Sequence, residues 1–113
     1  QKALFDAAAK KFNVSPNKGV DHLISSGVSS AKDMARFLLT TESLKKDKIG
    51  DWLGDKNDFN LAVLQQFIEA LDFKGMDFDQ SLRLFLGKLR LPGEAQKIDR
   101  MMERFANRYC AQN

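Results

Sequence analysis

Apolar side chains return at intervals of three and four residues along almost the whole chain, and they hardly anywhere alternate. A helix repeats every ~3.6 residues and a strand every ~2, so this spacing commits the chain to helices and leaves nothing for a sheet. Leu4, Phe5, Ala8, Ala9 and Phe12 form the stripe of a first helix. Ser15 offers an N-cap and Pro16 a favoured first residue for a second helix, carried by Val20, Leu23 and Ile24 and ended by Gly27 in a left-handed conformation. Ser30 and Asp33 have cap spacing ahead of Met34, Phe37 and Leu38, and Ser43 precedes a short helix built on Ile49, Trp52 and Leu53, closed by Gly54. Asp58 is placed to cap a helix presenting Leu61, Leu64, Ile68 and Leu71, with Gly75 at its exit. Asp77 and Gln80 read as a capping box before Leu82, Phe85, Leu86 and Leu89. Pro92 cannot join that helix and pushes Leu91 towards an extended conformation. A last helix is expected from Ala95, with Ile98, Met101, Met102, Phe105 and Tyr109 on one face. The fold class is therefore all-α, an array of about seven helices whose unequal lengths argue against a regular solenoid and still admit a superhelical stack.

A chain of 113 residues is one domain or part of one, long enough to bury roughly two-thirds of its unfolded surface without metals or disulfides. No apolar run is long enough to span a membrane or act as a signal peptide. A lone cysteine, Cys110, excludes an intrachain disulfide and suits a reducing compartment. Opening on Gln1 rather than Met, the chain is expected to be an excised segment of something longer. Lys and Arg number 18 against 15 Asp and Glu, a net charge of +3 that is weak for a dedicated nucleic-acid binder.

Few residues carry chemistry. His22 has no companions for a zinc site and reads as a surface or packing residue, so no metal and no cofactor are expected. Cys110 lies beside an apolar face and reads as a buried, inert thiol. Asp51, Asp55 and Asp58 miss the calcium-loop spacing and read as helix caps. Lys97, Arg100, Arg104 and Arg108 line one side of the last helix. That stripe reads first as a solvated face; lying along DNA phosphates in helix-turn-helix fashion, or meeting an acidic protein or membrane, are the alternatives. Glu94 follows Pro92 and Gly93 where one helix has stopped and the next begins. By pattern alone it is a glutamate that offsets the helix macrodipole, yet the same place presents a carboxylate at the tip of a rigid corner.

The string Leu91-Pro92-Gly93-Glu94-Ala95-Gln96-Lys97-Ile98-Asp99-Arg100-Met101-Met102 resembles the first signature motif of the Sec-seven domain, the catalytic module of Arf guanine-nucleotide exchange factors. Similar matches run through the chain: Phe12-Asn13 with Pro16, Lys18, Gly19 and Val20; Ile49-Gly50-Asp51-Trp52-Leu53-Gly54; Asp72-Phe73 leading to Leu82-Arg83-Leu84-Phe85-Leu86; Arg104-Phe105-Ala106; and Arg108-Tyr109-Cys110. Asn17 and Gly87-Lys88 depart from the family's common residues. A second motif, rich in Asn, Thr, Asp, Leu and His, has no counterpart before Asn113. Residues 1–113 are thus expected to be the N-terminal portion of a single domain of this type, folded as a right-handed superhelical array.

The resemblance implies a function. Such domains promote GDP release from Arf-family small GTPases, engaged in GDP-bound and nucleotide-free states, and the glutamate matching Glu94 acts as an acidic finger. Pro92 and Gly93 would shape its loop, and Gln96, Lys97 and Asp99 would lie near the GTPase. No covalent chemistry is involved and no nucleic acid is bound. Membrane association would come only from parts outside this chain, placing the parent protein in the cytoplasm, peripheral to Golgi or endosomal membranes. Without the later helix, the faces of Leu82-to-Leu89 and Ile98-to-Tyr109 are expected to be partly uncovered, inviting self-association, and the chain alone should exchange poorly. A helical interaction module that binds without promoting exchange is the rival reading, and a nucleic-acid binder the third.

Overall fold

Seven helices and no strand make up the computed structural model, which describes residues 1–113: α1 (Lys2–Val14), α2 (Pro16–Ser25), α3 (Ala31–Thr40), α4 (Lys46–Leu53), α5 (Asp58–Glu69), α6 (Phe78–Leu86) and α7 (Ala95–Gln112). Helices appear where the apolar period put them. The Ser30 hydroxyl accepts the Asp33 N–H at 3.1 Å, and the Asp77–Gln80 capping box forms in both directions at 2.8 and 3.2 Å. Gly27 and Gly75 take positive φ, 94° and 78°, a region that a side chain disfavours.

Other helix starts differ from the sequence reading. Ser15 occupies the N-cap of α2 without a side-chain cap bond. The cap of α5 is Asn57, whose side-chain oxygen accepts the Phe59 N–H at 3.3 Å, and Asp58 is the first helical residue. That helix stops at Glu69, so Leu71 lies beyond it and Gly75 turns the following connection. No side chain caps α4, whose N-cap is Lys45. Asn13 of α1 ties down the segment that leads into it, accepting the Lys45 N–H at 2.8 Å and donating to the Ser43 carbonyl at 2.9 Å. Ile24, expected on the buried stripe of α2, is 42% exposed.

One cluster of 25 buried residues forms the core. At one end α1 packs on α2, and α3 on α5. Gly19 lets the first pair approach closely, since a Cβ there would stand 2.6 Å from Phe12 Cβ and 2.7 Å from the Ala8 carbonyl oxygen. Phe5 meets Phe37 edge-on with centroids 5.1 Å apart. At the other end Phe105 of α7 is the hub, stacked on Phe85 at 5.2 Å and edge-on to Phe73 at 5.3 Å and Phe78 at 5.6 Å. Of the two faces expected to be uncovered, Phe85, Leu89, Met101 and Phe105 are buried, while Leu86 is 36% exposed and the nearby Phe78 44%. The radius of gyration, 13.7 Å, is close to the ~13 Å of a compact domain this long. No helix is long and apolar enough to cross a membrane.

The last turn of α7 closes onto the loop between α5 and α6. Gln112 accepts the Phe73 N–H at 2.8 Å, and Asn113 bridges the Phe73 carbonyl at 2.9 Å and the Gly75 N–H at 3.0 Å. The Tyr109 hydroxyl donates to the Met76 carbonyl at 3.1 Å. Asp72 accepts from the Lys74 N–H and from the Gln112 amide, both at 3.0 Å. These bonds, with Arg108 and Lys74 nearby, hold its carboxyl below the ordinary value of 3.8.

Two outcomes follow from this packing. Phe105→Ala should lower stability by about 3–5 kcal/mol, read from urea denaturation, because it removes the ring that joins α6 and α7 to the α5–α6 loop. Folding lowers the Asp72 pKa, so its contribution is complete above pH 3.8 and is lost as pH falls through the folded value. Acid titration followed by NMR should therefore free the Lys74 amide and the Gln112 side chain below pH 3.8, and Asp72→Asn should abolish that step.

Candidate functional site

The corner between α6 and α7 begins against α4. Arg90 donates its N–H to the Lys46 carbonyl at 3.0 Å, and a Cβ on Gly50 would overlap the Arg90 carbonyl oxygen. From there the chain runs through half-buried Leu91 and buried Pro92 to exposed Gly93 and Glu94. Glu94 is the N-cap of α7, with φ −84° and ψ 126°, and its carbonyl accepts the Ile98 N–H at 3.1 Å. Its carboxylate makes no cap bond. The side chain is 74% exposed, and its charged neighbour is Lys97 Nζ at 3.8 Å. The fold thus uses the Glu94 backbone and leaves its charge to solvent.

Asp55, Lys56, Glu94, Gln96, Lys97 and Arg100 line a hollow of about 200 Å³ beside this carboxylate. Gln96 is exposed, and Lys97 lays its stem against α4, where a Cβ on Gly54 would meet Lys97 Cδ at 3.1 Å. The structure therefore gathers Glu94, Gln96 and Lys97 around one depression, with Pro92 beneath the corner. Asp99 is exposed and lies outside that lining. Gly93 has neither a positive φ nor any atom within 4 Å of an added Cβ, so the fold itself places no demand for glycine there.

The basic stripe of α7 is not a solvated face. Arg100 donates to the Gly54 carbonyl at 2.7 Å, Arg104 to Gln65 Oε1 at 2.9 Å, and Arg108 to the Glu69 and Leu71 carbonyls at 3.0 and 3.3 Å. All three arginines are half-buried. Helices α4 and α5 have no basic residue in their own last turns, and their terminal carbonyls lack intrahelical partners. Arginines from α7 donate to carbonyls at both ends, so part of their hydrogen-bonding capacity is used within the fold. The signal was present in the sequence only as two helix ends without local cations.

Cys110 is exposed, contrary to the buried thiol expected. One position beyond Tyr109, it is rotated ~100° off the packed face. His22 Nδ1 accepts from Lys11 Nζ at 3.2 Å on the surface, and Asp55 accepts the Asn57 N–H at 3.0 Å in a local turn. No group of His, Cys, Asp and Glu side chains is arranged to hold a metal ion.

A family model for the Sec7 domain matches residues 1–113. Cytohesin-3 of Rattus norvegicus is 54% identical over 106 residues, which are 92% of this chain and 26% of that protein. The ankyrin repeat, PH and SEC7 domain containing protein secG of Dictyostelium discoideum is 49% identical over 113 residues, 97% of this chain and 12% of the relative. Among solved structures, the Sec7p catalytic domain aligns with a TM-score of 0.89 at 41% identity, covering 96% of this chain and 61% of the other. A structure of ARF1-GDP bound to Sec7 domain complexed with Brefeldin A aligns with a TM-score of 0.87 at 38% identity, covering 99% and 58%. The chain spans about a quarter of the length of cytohesin-3. With a family match over its whole length and a shared helical fold, the chain belongs to the Sec7 domain family.

Proposed function

We propose that this chain is the finger-bearing part of a guanine-nucleotide exchange domain that drives GDP release from an Arf-type GTPase. The observation that carries the reading is the Glu94 carboxylate, 74% exposed at the start of α7 and unused by the fold. A GTPase holds its nucleotide through backbone amides, a lysine and Mg²⁺ at the phosphates. A carboxylate brought to that cradle competes for its positive groups and repels the phosphate. At ~4 Å and an effective dielectric of ~20, one such like-charge contact is worth ~4 kcal/mol. That corresponds to roughly a thousandfold in rate. The step is displacement, in which the nucleotide-free state is the better bound, and no covalent bond changes.

Supporting roles go to the residues around the finger. Gln96, Lys97 and Asp99 contact the GTPase, and Pro92 anchors the corner. Gly93 keeps the approach to the backbone open. The likeness to a Sec7 domain solved with ARF1-GDP supports an Arf-type partner. Residues 1–113 form the N-terminal portion of the domain, and targeting to Golgi or endosomal membranes belongs to other parts of the parent protein.

Glu94→Lys should abolish release of fluorescent GDP from an Arf protein while costing only about 1–2 kcal/mol of stability, because the exposed carboxylate packs against nothing. Undiminished release would overturn the finger. Binding of the GTPase by the unaltered full-length protein with no release would favour an interaction module instead. Gly93→Ala should leave thermal stability unchanged or raise it by ~0.4–1 kcal/mol, since the free chain has room for the methyl group. A large loss of stability would show that glycine is needed by the corner itself.

A further inference from the structure

We propose that α4 is a brace that aims the finger, and that Gly50 and Arg100 are positioning residues for nucleotide release. This rests on the acidic-finger reading and adds to it the part of the fold that fixes where the carboxylate stands. The corner leaves α4 and returns to it. On the outgoing arm, Arg90 donates to the Lys46 carbonyl at 3.0 Å, and Gly50 admits the Arg90 carbonyl where a side chain would overlap it. On the returning arm, the Lys97 stem lies against Gly54, and Arg100 donates to the Gly54 carbonyl at 2.7 Å. Lys46, Gly50 and the C-cap Gly54 recur every four residues and so line one side of α4, setting the two arms about 6–12 Å apart along the helix. Beyond the arms the tip is open, with nothing within 4 Å of a Cβ on Gly93 and Glu94 in solvent.

Gly50 works against its own helix. Glycine in a helix interior is disfavoured by ~1 kcal/mol relative to alanine, and at this site the fold keeps it because backbone meets backbone. Moving the Arg90 carbonyl moves the segment that ends at Glu94, and an error of about 1 Å at a reacting centre can cost ~100-fold.

The test compares two glycines whose replacement crowds a packed neighbour, one beneath the corner and one between α1 and α2. Gly50→Ala and Arg100→Lys should shift the amide signals of Gly93 to Gln96 and slow GDP release roughly 10–100-fold at saturating exchange factor. The full-length protein's affinity for the nucleotide-free GTPase should stay nearly constant. Gly19→Ala, which crowds Phe12 and Ala8 where α2 packs on α1 and touches no residue of the corner, should lower stability yet leave those signals and the rate per folded molecule unchanged. In a Glu94→Gln background, Gly50→Ala should slow release no further. Equal slowing by Gly19→Ala and Gly50→Ala, or unmoved signals with unchanged release, would overturn the brace. Should Gly50→Ala fail to fold, Arg100→Lys decides by the same readouts. Parent-like release by Glu94→Gln would remove the finger, and the amide signals would still decide whether α4 sets the corner.

Discussion

Half-buried guanidinium groups donating to the carbonyl ends of other helices hold this molecule in register. Helices α4 and α5 finish without a cation of their own, and Arg100 and Arg108 of α7 bond the carbonyls at those ends while Arg104 grips Gln65 between them. Hydrogen bonds from charged donors are worth ~1.5–3 kcal/mol each. The negative end of a helix dipole adds to them. Arginine suits the task because one terminal nitrogen carries two donors, and Nη2 of Arg108 bonds the Glu69 and Leu71 carbonyls together. Since the three residues repeat every four positions along α7, they fix its axis over its middle half.

A helix fixed in this way makes a rigid base for its first residue. Cations that net charge would count as surface are spent inside the chain, whereas the Glu94 carboxylate at the opposite end is exposed and paired only loosely with Lys97 at 3.8 Å. The net charge of +3 therefore overstates the positive charge that the surface of α7 offers. Exposed Phe78 and Leu86 lie on α6, the helix that leads into the same corner. Of the two, Leu86 adjoins the corner, whereas Phe78 starts α6 at its other end, beside Phe105 and Tyr109.

What could be read from the sequence was whatever acts within one helical turn. Apolar spacing located all seven helices, and the Ser30–Asp33 and Asp77–Gln80 caps form as their spacing indicates. Asn13 tying down the segment before α4, the arginines serving α4 and α5, and Gly50 admitting Arg90 join residues more than thirty positions apart. Periodicity holds no trace of such pairs. Cys110 failed for a smaller reason, since adjacency to Tyr109 in sequence means a different face on a helix. Glu94 is the instructive case. Its pattern fitted a dipole-compensating residue, and its role was suggested only by resemblance. The geometry then showed that it makes none of the cap bonds the pattern would permit.

Rigidity beneath an exposed tip has a thermodynamic consequence for displacement. A carboxylate on a mobile loop would lose backbone freedom on docking, about 1–2 kcal/mol for every residue ordered. Here Arg90, Pro92, Lys97 and Arg100 are already placed before any partner arrives. Only the side-chain torsions of Glu94 and its loose 3.8 Å pairing with Lys97 remain to be reset. An exposed ion pair of that kind is worth at most about 1 kcal/mol, so giving it up barely opposes docking. Under the proposed finger role, the repulsion between the carboxylate and a phosphate would be left almost whole to act on the nucleotide.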